Sequence, residues 1–536
     1  MVKNKQTGEM MVDNTLLYTM LAVYLGITVL LGYLGYRHTK SSKDYMIAGG
    51  NVHPVLMALA YGSTFISTSA IVGFGGAAGV YGLSLLWLTV FNIFVGIFVA
   101  FVIFGIKTRK LAHELQVKTF PEFLGARFDS PFIRKFSATI ISLTMPLYAA
   151  AVMIGGARYM EEALGMSYTT ALAVFSLIVL AYVFFGGLRG VIYTDAMQGM
   201  IMFAGMAALI FLTYSALGGV TVAHSKLEGM RQLVPAALAA KGHQGWTAMP
   251  DFGSELWWFV VSTLVLGVGI GVLAQPQLAV RFMTVASSKD IYRGLSIGSV
   301  FILFMTGVAF TVGALSNVYF FEHSGKIALA ATAVGGAVPN VDKIIPMFIT
   351  QAMPEWLKYI FLFTLLSAAM STLSGQFHII STSISYDLNT NSNRSDAKTL
   401  RLARIGTLFG FVLTILLSLF LPLGVIAVAT ALFFGLCTSA FLPMYAAALY
   451  WPRITPAGAI WSMVTATVVY FGLVLFVHEK EAAIFGVCNK IFGVKTLGVI
   501  PWTYIDPLVI ALPLSALVLI TVSLVTQPAA EPVTIQ

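Results

Sequence analysis

The stretch Ala58-Leu59-Ala60-Tyr61-Gly62-Ser63-Thr64-Phe65-Ile66-Ser67-Thr68-Ser69, with Gly73, Gly75 and Gly76 just beyond it, lies inside an apolar run from about residue 54 to 79. Such a run can cross the hydrocarbon core of a bilayer as a helix, for which about 20 residues suffice. Its centre nevertheless carries hydroxyls and glycines where a plain spanning helix carries Leu, Ile and Val. A second stretch of this kind reads Leu264-Val265-Leu266-Gly267-Val268-Gly269-Ile270-Gly271-Val272-Leu273-Ala274-Gln275-Pro276-Gln277. Glycine costs about 1 kcal/mol per helical position and proline about 3, so both stretches are places for a helix to unwind. Taken alone, each is better read as close helix packing through small residues. Their separation by five spans, in corresponding positions of two repeats, favours broken helices. An unwound backbone frees carbonyl oxygens suited to an alkali cation and aims a half-helix N-terminus at an anion.

The rest of the chain agrees with a bilayer as solvent. Of 536 residues, 58% are hydrophobic and 10% charged, where a soluble domain is about a quarter charged. A soluble enzyme, a nucleic-acid binder and a disordered chain are thereby excluded as readings. Two cysteines, Cys437 and Cys488, make neither a disulfide framework nor a metal cluster. Apolar runs predict about 13 spans, near residues 15–36, 54–79, 83–106, 137–158, 168–186, 190–216, 256–277, 295–320, 357–387, 403–421, 424–450, 456–477 and 505–526. The first is too long and too late for a cleaved signal peptide and is read as a retained helix. With the N-terminus outside, 19 of the 31 Lys and Arg residues fall on the inner connections while acids collect on the outer ones. This positive-inside pattern predicts a plasma-membrane protein of bacterial inner-membrane type with a cytoplasmic C-terminus. The net charge of +9 is then mainly an orientation signal rather than a polyanion site.

No paired carboxylates, Cys/His cluster, Ser/His/Asp arrangement or phosphate loop stands at a spacing that supports catalysis, so the chain is not read as an enzyme. One carboxylate, Asp195, falls within a span, and no Lys or Arg lies deep in one. Asp195 is about 9 Å beyond Arg189 along a helix. A charge at that depth needs Arg189, water or a cation as partner. His378 is read as a hydrogen-bonded core residue. In the ninth span, Ser367-Ala368-Ala369-Met370-Ser371-Thr372-Leu373-Ser374-Gly375-Gln376 puts residues 368, 371 and 372 on one helix face. The Ala368 carbonyl and the Ser371 and Thr372 hydroxyls can then converge on one point, although such hydroxyls commonly bond back to their own helix.

The stretch Gly186-Gly187-Leu188-Arg189-Gly190-Val191-Ile192-Tyr193-Thr194-Asp195-Ala196-Met197-Gln198 resembles the signature of the sodium:solute symporter family. Gly156-Ala157-Arg158 with Gly165-Met166-Ser167-Tyr168, Gln275-Pro276 with Arg281-Phe282-Met283, Ala369 to Ser374, and Tyr450-Trp451-Pro452-Arg453 with Gly458-Ala459 agree in order, from about residue 40 to 460. The resemblance implies an all-α membrane protein with a LeuT-like five-plus-five inverted repeat, one extra N-terminal helix and two extra C-terminal ones. Residues 1–53 would form the outer tail, first helix and basic loop, 54–216 the first repeat, 256–450 the second, and 451–536 the final helices and tail. It further implies a sodium ion held by the carbonyls of Ser63, Ile66 and Ala368 and the hydroxyls of Ser371 and Thr372. Asp195 would serve a second sodium or the release path.

Within the family, the proline symporters share Tyr148, but their Asp in the broken second span is Phe65 here. Their Trp and Tyr ahead of Gln-Pro align with Val268 and Val272. The stretch from Ser69 to Gly82 is closer to pantothenate and monocarboxylate members. Candidate solute contacts are the hydroxyls of Ser67, Thr68, Ser69 and Tyr148 and the amides of Asn92, Gln275 and Gln277, with no fixed base for a di- or tricarboxylate. The expected function is sodium-coupled symport importing a small carboxylate-bearing solute, of monocarboxylate or pantothenate type, by alternating access. Proline or another amino acid is the alternative solute, and a non-transporting sensor on the same scaffold is the alternative class. Expected partners are sodium, the solute and the bilayer, with the oligomeric state open.

Overall fold

The computed structural model describes residues 14–38, 42–183, 188–389 and 396–527. The two terminal tails and Gly186-Gly187 of the signature lie outside the described residues. The chain is almost wholly helical: α1 Asn14–His38, α2 Pro54–Phe65, α3 Gly75–Tyr81, α4 Leu86–Ile93, α5 Ile106–Glu114, α6 Phe120–Arg127, α7 Pro131–Leu164, α8 Tyr168–Val183 and α9 Leu188–Leu217. There follow α10 Glu255–Ala274, α11 Pro276–Phe282, α12 Ser288–Ser324, α13 Ile344–Ala352, α14 Glu355–Thr382, α15 Asp396–Phe420, α16 Ile426–Tyr450, α17 Pro456–Phe476, α18 Glu479–Phe485 and α19 Leu508–Thr526.

Among the described residues, 10 helices are long and apolar enough to cross a membrane, and Thr19–Gly35, Pro54–Phe65 and Tyr168–Leu180 are shorter apolar helices. They do not separate as thirteen uniform crossings. The expected span at 54–79 is split in two, and its second half runs on with the next span from Ser69 to Glu114.

The first break lies where the hydroxyl-rich stretch predicts it. α2 opens with Pro54 at its first position, and the ring of His53 accepts the Val55 N–H at 3.3 Å. The helix ends at Ile66, whose backbone is extended (φ −85°, ψ 96°). The helical path resumes at Ser69 as a π-helical turn, Ser69–Phe74, leading into α3. Ser67 starts it: its hydroxyl accepts the Ser69 N–H at 3.1 Å, and its carbonyl accepts those of Ala70 and Ile71.

The second break differs from expectation. Gly267, Gly269 and Gly271 stay helical, and the chain leaves the helix only at Gln275 (φ −73°, ψ 116°). The Pro276 ring disfavours helical backbone at the residue before it, then opens α11 at the first helical position. The glycines serve packing. A Cβ on Gly269 would stand 2.7 Å from the Cβ of Phe91, and one on Gly271 the same distance from the Cβ of Phe434.

α14 and α16 are buried over nearly their whole length, and α7 over most of it. The broken helix α2 packs against α9, α12 and α14. The outer helices turn apolar side chains outward, as with Val29 and Tyr33 of α1 and Leu524 of α19. Bulky apolar side chains thus face outward as well as filling the core, while small and hydroxyl residues concentrate in the middle of α14, from Ser367 to Gly375.

Candidate cation and solute site

The buried face of α14 meets the C-terminal end of α2. The Ser371 hydroxyl lies 2.9 Å from the Ser63 carbonyl oxygen and 3.2 Å from that of Ala368. One residue further along each helix, the Thr372 hydroxyl donates to the Thr64 carbonyl at 3.1 Å. The structure thus brings Ser63, Ala368, Ser371 and Thr372 together. Ile66 sits at the break itself, 1% exposed, and no hydrogen bond among the described residues joins it to α14. The oxygens are neutral carbonyls and hydroxyls, freed on one side by the end of α2. That donor set fits an alkali cation, as helix breaks do in transporters.

Next to these oxygens stands a buried ionic cluster. An Arg281 guanidinium nitrogen donates to Asp195 Oδ2 at 2.6 Å and to the Thr64 hydroxyl at 2.9 Å. Thr64 donates to the same carboxylate oxygen at 3.3 Å, and Ser374 to Oδ1 at 3.3 Å. Asp195 is 0% and Arg281 1% exposed. The partner of Asp195 is therefore Arg281, while the Arg189 side chain lies outside the described residues. Arg281 lies outside the apolar spans but is buried in the protein, which the sequence pattern does not reveal. Arg281 follows the apolar run by only a few residues and reads as a connection, but the whole of α11 is buried and packs against α2 and α14 after the Gln275 break. Asp195 is also not alone as a buried carboxylate, for Asp342, Asp387 and Asp506 are buried too. Asp387 ends the α14 run against Arg134 at 2.9 Å. His378 is a core residue packed on the Tyr45 ring.

Of the expected solute contacts, Ser67 and Tyr148 border one small cavity of about 20 Å³, with the Tyr148 hydroxyl 3.4 Å from that of Ser67. Tyr148 is held by stacking on Phe433 and edge-on against Phe434. Asn92, Phe65 and Val268 line the same cavity, and Asn92 Oδ1 is buried without a hydrogen-bond partner. The cavity has room for about one water. Thr68 turns away and donates to the Val152 carbonyl. Ser69 is buried with its hydroxyl unpaired and does not line the cavity. The Gln275 amide donates to the Gly271 carbonyl and accepts from the Gln277 amide nitrogen, while Gln277 Oε1 is buried without a hydrogen-bond partner, and neither residue lines the cavity. Thr306 and Thr430 line the cavity unforeseen. Each bonds back to its own helix at 2.8 Å, and a single hydroxyl in an apolar helix leaves no pattern to read.

A larger hollow of about 500 Å³ lies among Leu59, Gly199, Met200, Phe203, Val300 and Phe301. Its walls are apolar and its rim side chains exposed, Val300 at 61%. It is a lipid-facing groove rather than a solute site.

Neutral oxygens at the crossing of a broken helix with a buried one, beside a small cavity, define a secondary transporter of the broken-helix class. The family model described as "Sodium:solute symporter family" matches residues 45–466, and the chain belongs to that family. Its relatives include a sodium/pantothenate symporter of Haemophilus influenzae, 30% identical over 499 residues that cover 89% of this chain and 95% of the relative. A sodium/proline symporter of Escherichia coli is 26% identical, covering 82% and 84%. A solved sodium-coupled sialic acid symporter superposes with a TM-score of 0.72 at 17% identity, over 96% of this chain and 98% of that one. The shared fold is LeuT-like. The chain is thus an integral membrane protein whose partners are sodium, a solute and the bilayer.

Proposed function

We propose that the chain imports a small carboxylate-bearing solute of monocarboxylate or pantothenate type, coupled to sodium by alternating access. The observation that carries this reading is the junction of α2 with α14, where the Ser371 hydroxyl meets the Ser63 and Ala368 carbonyls beside the cavity of Ser67 and Tyr148. Sodium would be held there by the carbonyls of Ser63, Ile66 and Ala368 and the hydroxyls of Ser371 and Thr372. These groups fix the end of α2, and with it the Ser67 turn that faces the solute. The N–H groups of Ser67 and Thr68 precede the resumed helix, where its dipole favours an anion. Tyr148, Ser67 and Asn92 supply the neutral polar contacts. Binding of each ligand then strengthens the other, by a coupling of typically about 1–3 kcal/mol. Asp195 would serve the release path once α11 withdraws Arg281 from it. The basic face is the cytoplasmic one in this reading.

Proline is the second solute reading, supported by relatives such as the Escherichia coli sodium/proline symporter. Against it, Phe65 and Val268 make the break-side wall of the cavity apolar. Uptake of labelled pantothenate, monocarboxylates and proline into proteoliposomes, under sodium and under potassium, separates the readings. Accumulation of a carboxylate other than proline under sodium alone is expected. Accumulation of proline alone would select the second reading, and accumulation of none would favour a sensor. A reporter fused at Gln536 is expected on the cytoplasmic side, and a reading on the other side would reverse the orientation.

A further inference from the structure

On the basic face, α5, the turn before α2 and the segment after α11 enclose a cavity of about 240 Å³ unconnected with the solute cavity. Arg109, His113, Gln116 and Lys118 line it, and no carboxylate does among the described residues. The neighbouring acids are already paired: Glu114 with Lys110 at 4.0 Å, and Glu122 with Arg134, Tyr386 and, at 2.8 Å, the backbone N–H of Lys118. The opposite wall is backbone. Ala48, Gly49 and Gly50 all have positive φ, near 52°, 77° and 77°, and this left-handed turn carries the bare Gly50 past Met283, whose carbonyl would stand 3.9 Å from a Cβ there. Arg109 is fixed in place because its guanidinium donates to the Val285 carbonyl at 3.2 Å and to that of Ala286. Those bonds use part of a fork with five N–H donors.

We infer that this cavity binds a phosphate group, presented by an anionic lipid headgroup or by free phosphate. A planar guanidinium fork beside further donors, with no competing carboxylate, matches the geometry and charge of phosphate oxygens. The depth fits as well. The π-helical segment Phe94–Gly105 is wholly apolar, and α5 follows at once with Lys107, Arg109 and Lys110, so the cavity opens where lipid phosphates lie. Its walls join the lead into α2 and the exit from α11. The Val52 N–H bonds the Thr284 carbonyl at 2.9 Å, linking the lead into α2 with the exit from α11. An occupied cavity holds these two half-helix ends together and stabilises the folded protein by mass action. The inference is independent of the transported solute, because its test measures binding and not uptake.

The test is thermal unfolding of the full-length protein in neutral detergent, at constant sodium and ionic strength. One arm titrates short-chain phosphatidylglycerol and another inorganic phosphate, with phosphatidylcholine of the same chain length as the control lipid. A saturable rise in Tm, larger than phosphatidylcholine produces, is expected in at least one arm. A rise with phosphatidylglycerol alone assigns the headgroup, and a rise in both assigns phosphate itself. Arg109→Gln should raise the half-saturating concentration about tenfold or more, the effect of losing one charge-assisted hydrogen bond. Lys107→Gln, exposed on the same helix but outside the cavity, should leave it unchanged. If Arg109→Gln fails to fold, His113→Glu places a carboxylate in the exposed mouth and should abolish the rise. No saturable rise, or equal weakening by Lys107→Gln and Arg109→Gln, would overturn the inference.

Discussion

Ser371 and Thr372 are adjacent, yet their hydroxyls reach two successive carbonyls of α2, those of Ser63 and Thr64. Replacing both by Ala removes two oxygens from the proposed cation shell while leaving the helix backbone intact. The half-saturating sodium concentration for stabilisation or uptake should rise about tenfold or more. An unchanged sodium titration would remove these residues from the site. Asp195 and Arg281 make the opposite kind of prediction, because each is the buried counter-charge of the other. Asp195→Asn or Arg281→Gln alone should cost about 3–5 kcal/mol in thermal stability. The double variant should recover a large part of that loss, and additive losses would show that the pair is not coupled. The hydroxyls of α14 were legible from their spacing. Arg281 was not, since a charge just past an apolar run looks the same whether the chain leaves the bilayer or folds back.

Helix breaks carry the second set of expectations. Gly271 is helical and touches α16, so Gly271→Ala should destabilise the protein by about 1–3 kcal/mol through overpacking. A neutral substitution would return the glycine to the role of helix breaker. At the N-terminal end of α16, the backbone amides of Gly424, Val425 and Ile426 hold the carboxylate of Asp342. Burial pushes that carboxyl up to about 7, with Arg158 and those amides opposing the shift. Its folded value exceeds the unfolded one near 3.9, so the folded protein binds the extra proton and stability falls as pH rises from about 4 to 7. Asp342→Asn should flatten that part of the pH–stability curve, and an unchanged slope would discharge Asp342 from it. The proline break was legible because Pro276 constrains its predecessor sterically. The glycine alternation misled because small residues serve packing and unwinding alike.

At the scale of the molecule, the scarcity of charge leaves binding to backbone oxygens, hydroxyls and helix ends. Of 536 residues only 10% are charged, and the oxygens at the α2–α14 junction are all neutral. The bilayer class, the two interrupted runs and the shared face of Ala368, Ser371 and Thr372 could be read from residue pattern, whereas the pairing of Ser63 with Ser371 rests on the family resemblance. The walls of the cavity beside Ser67 and Tyr148 could not, because α12 and α16 contribute isolated hydroxyls and aromatic rings whose facing depends on packing. Coupling between the two sites is the central claim. It is tested most directly by uptake of labelled pantothenate, or of whichever carboxylate the solute panel selects, into proteoliposomes with an inward sodium gradient, before and after an ionophore collapses it. The account predicts accumulation above the outside concentration that vanishes on collapse and is lost in the Ser371→Ala/Thr372→Ala variant. Accumulation that survives the collapse, or that the double variant retains at the same sodium dependence, would contradict it.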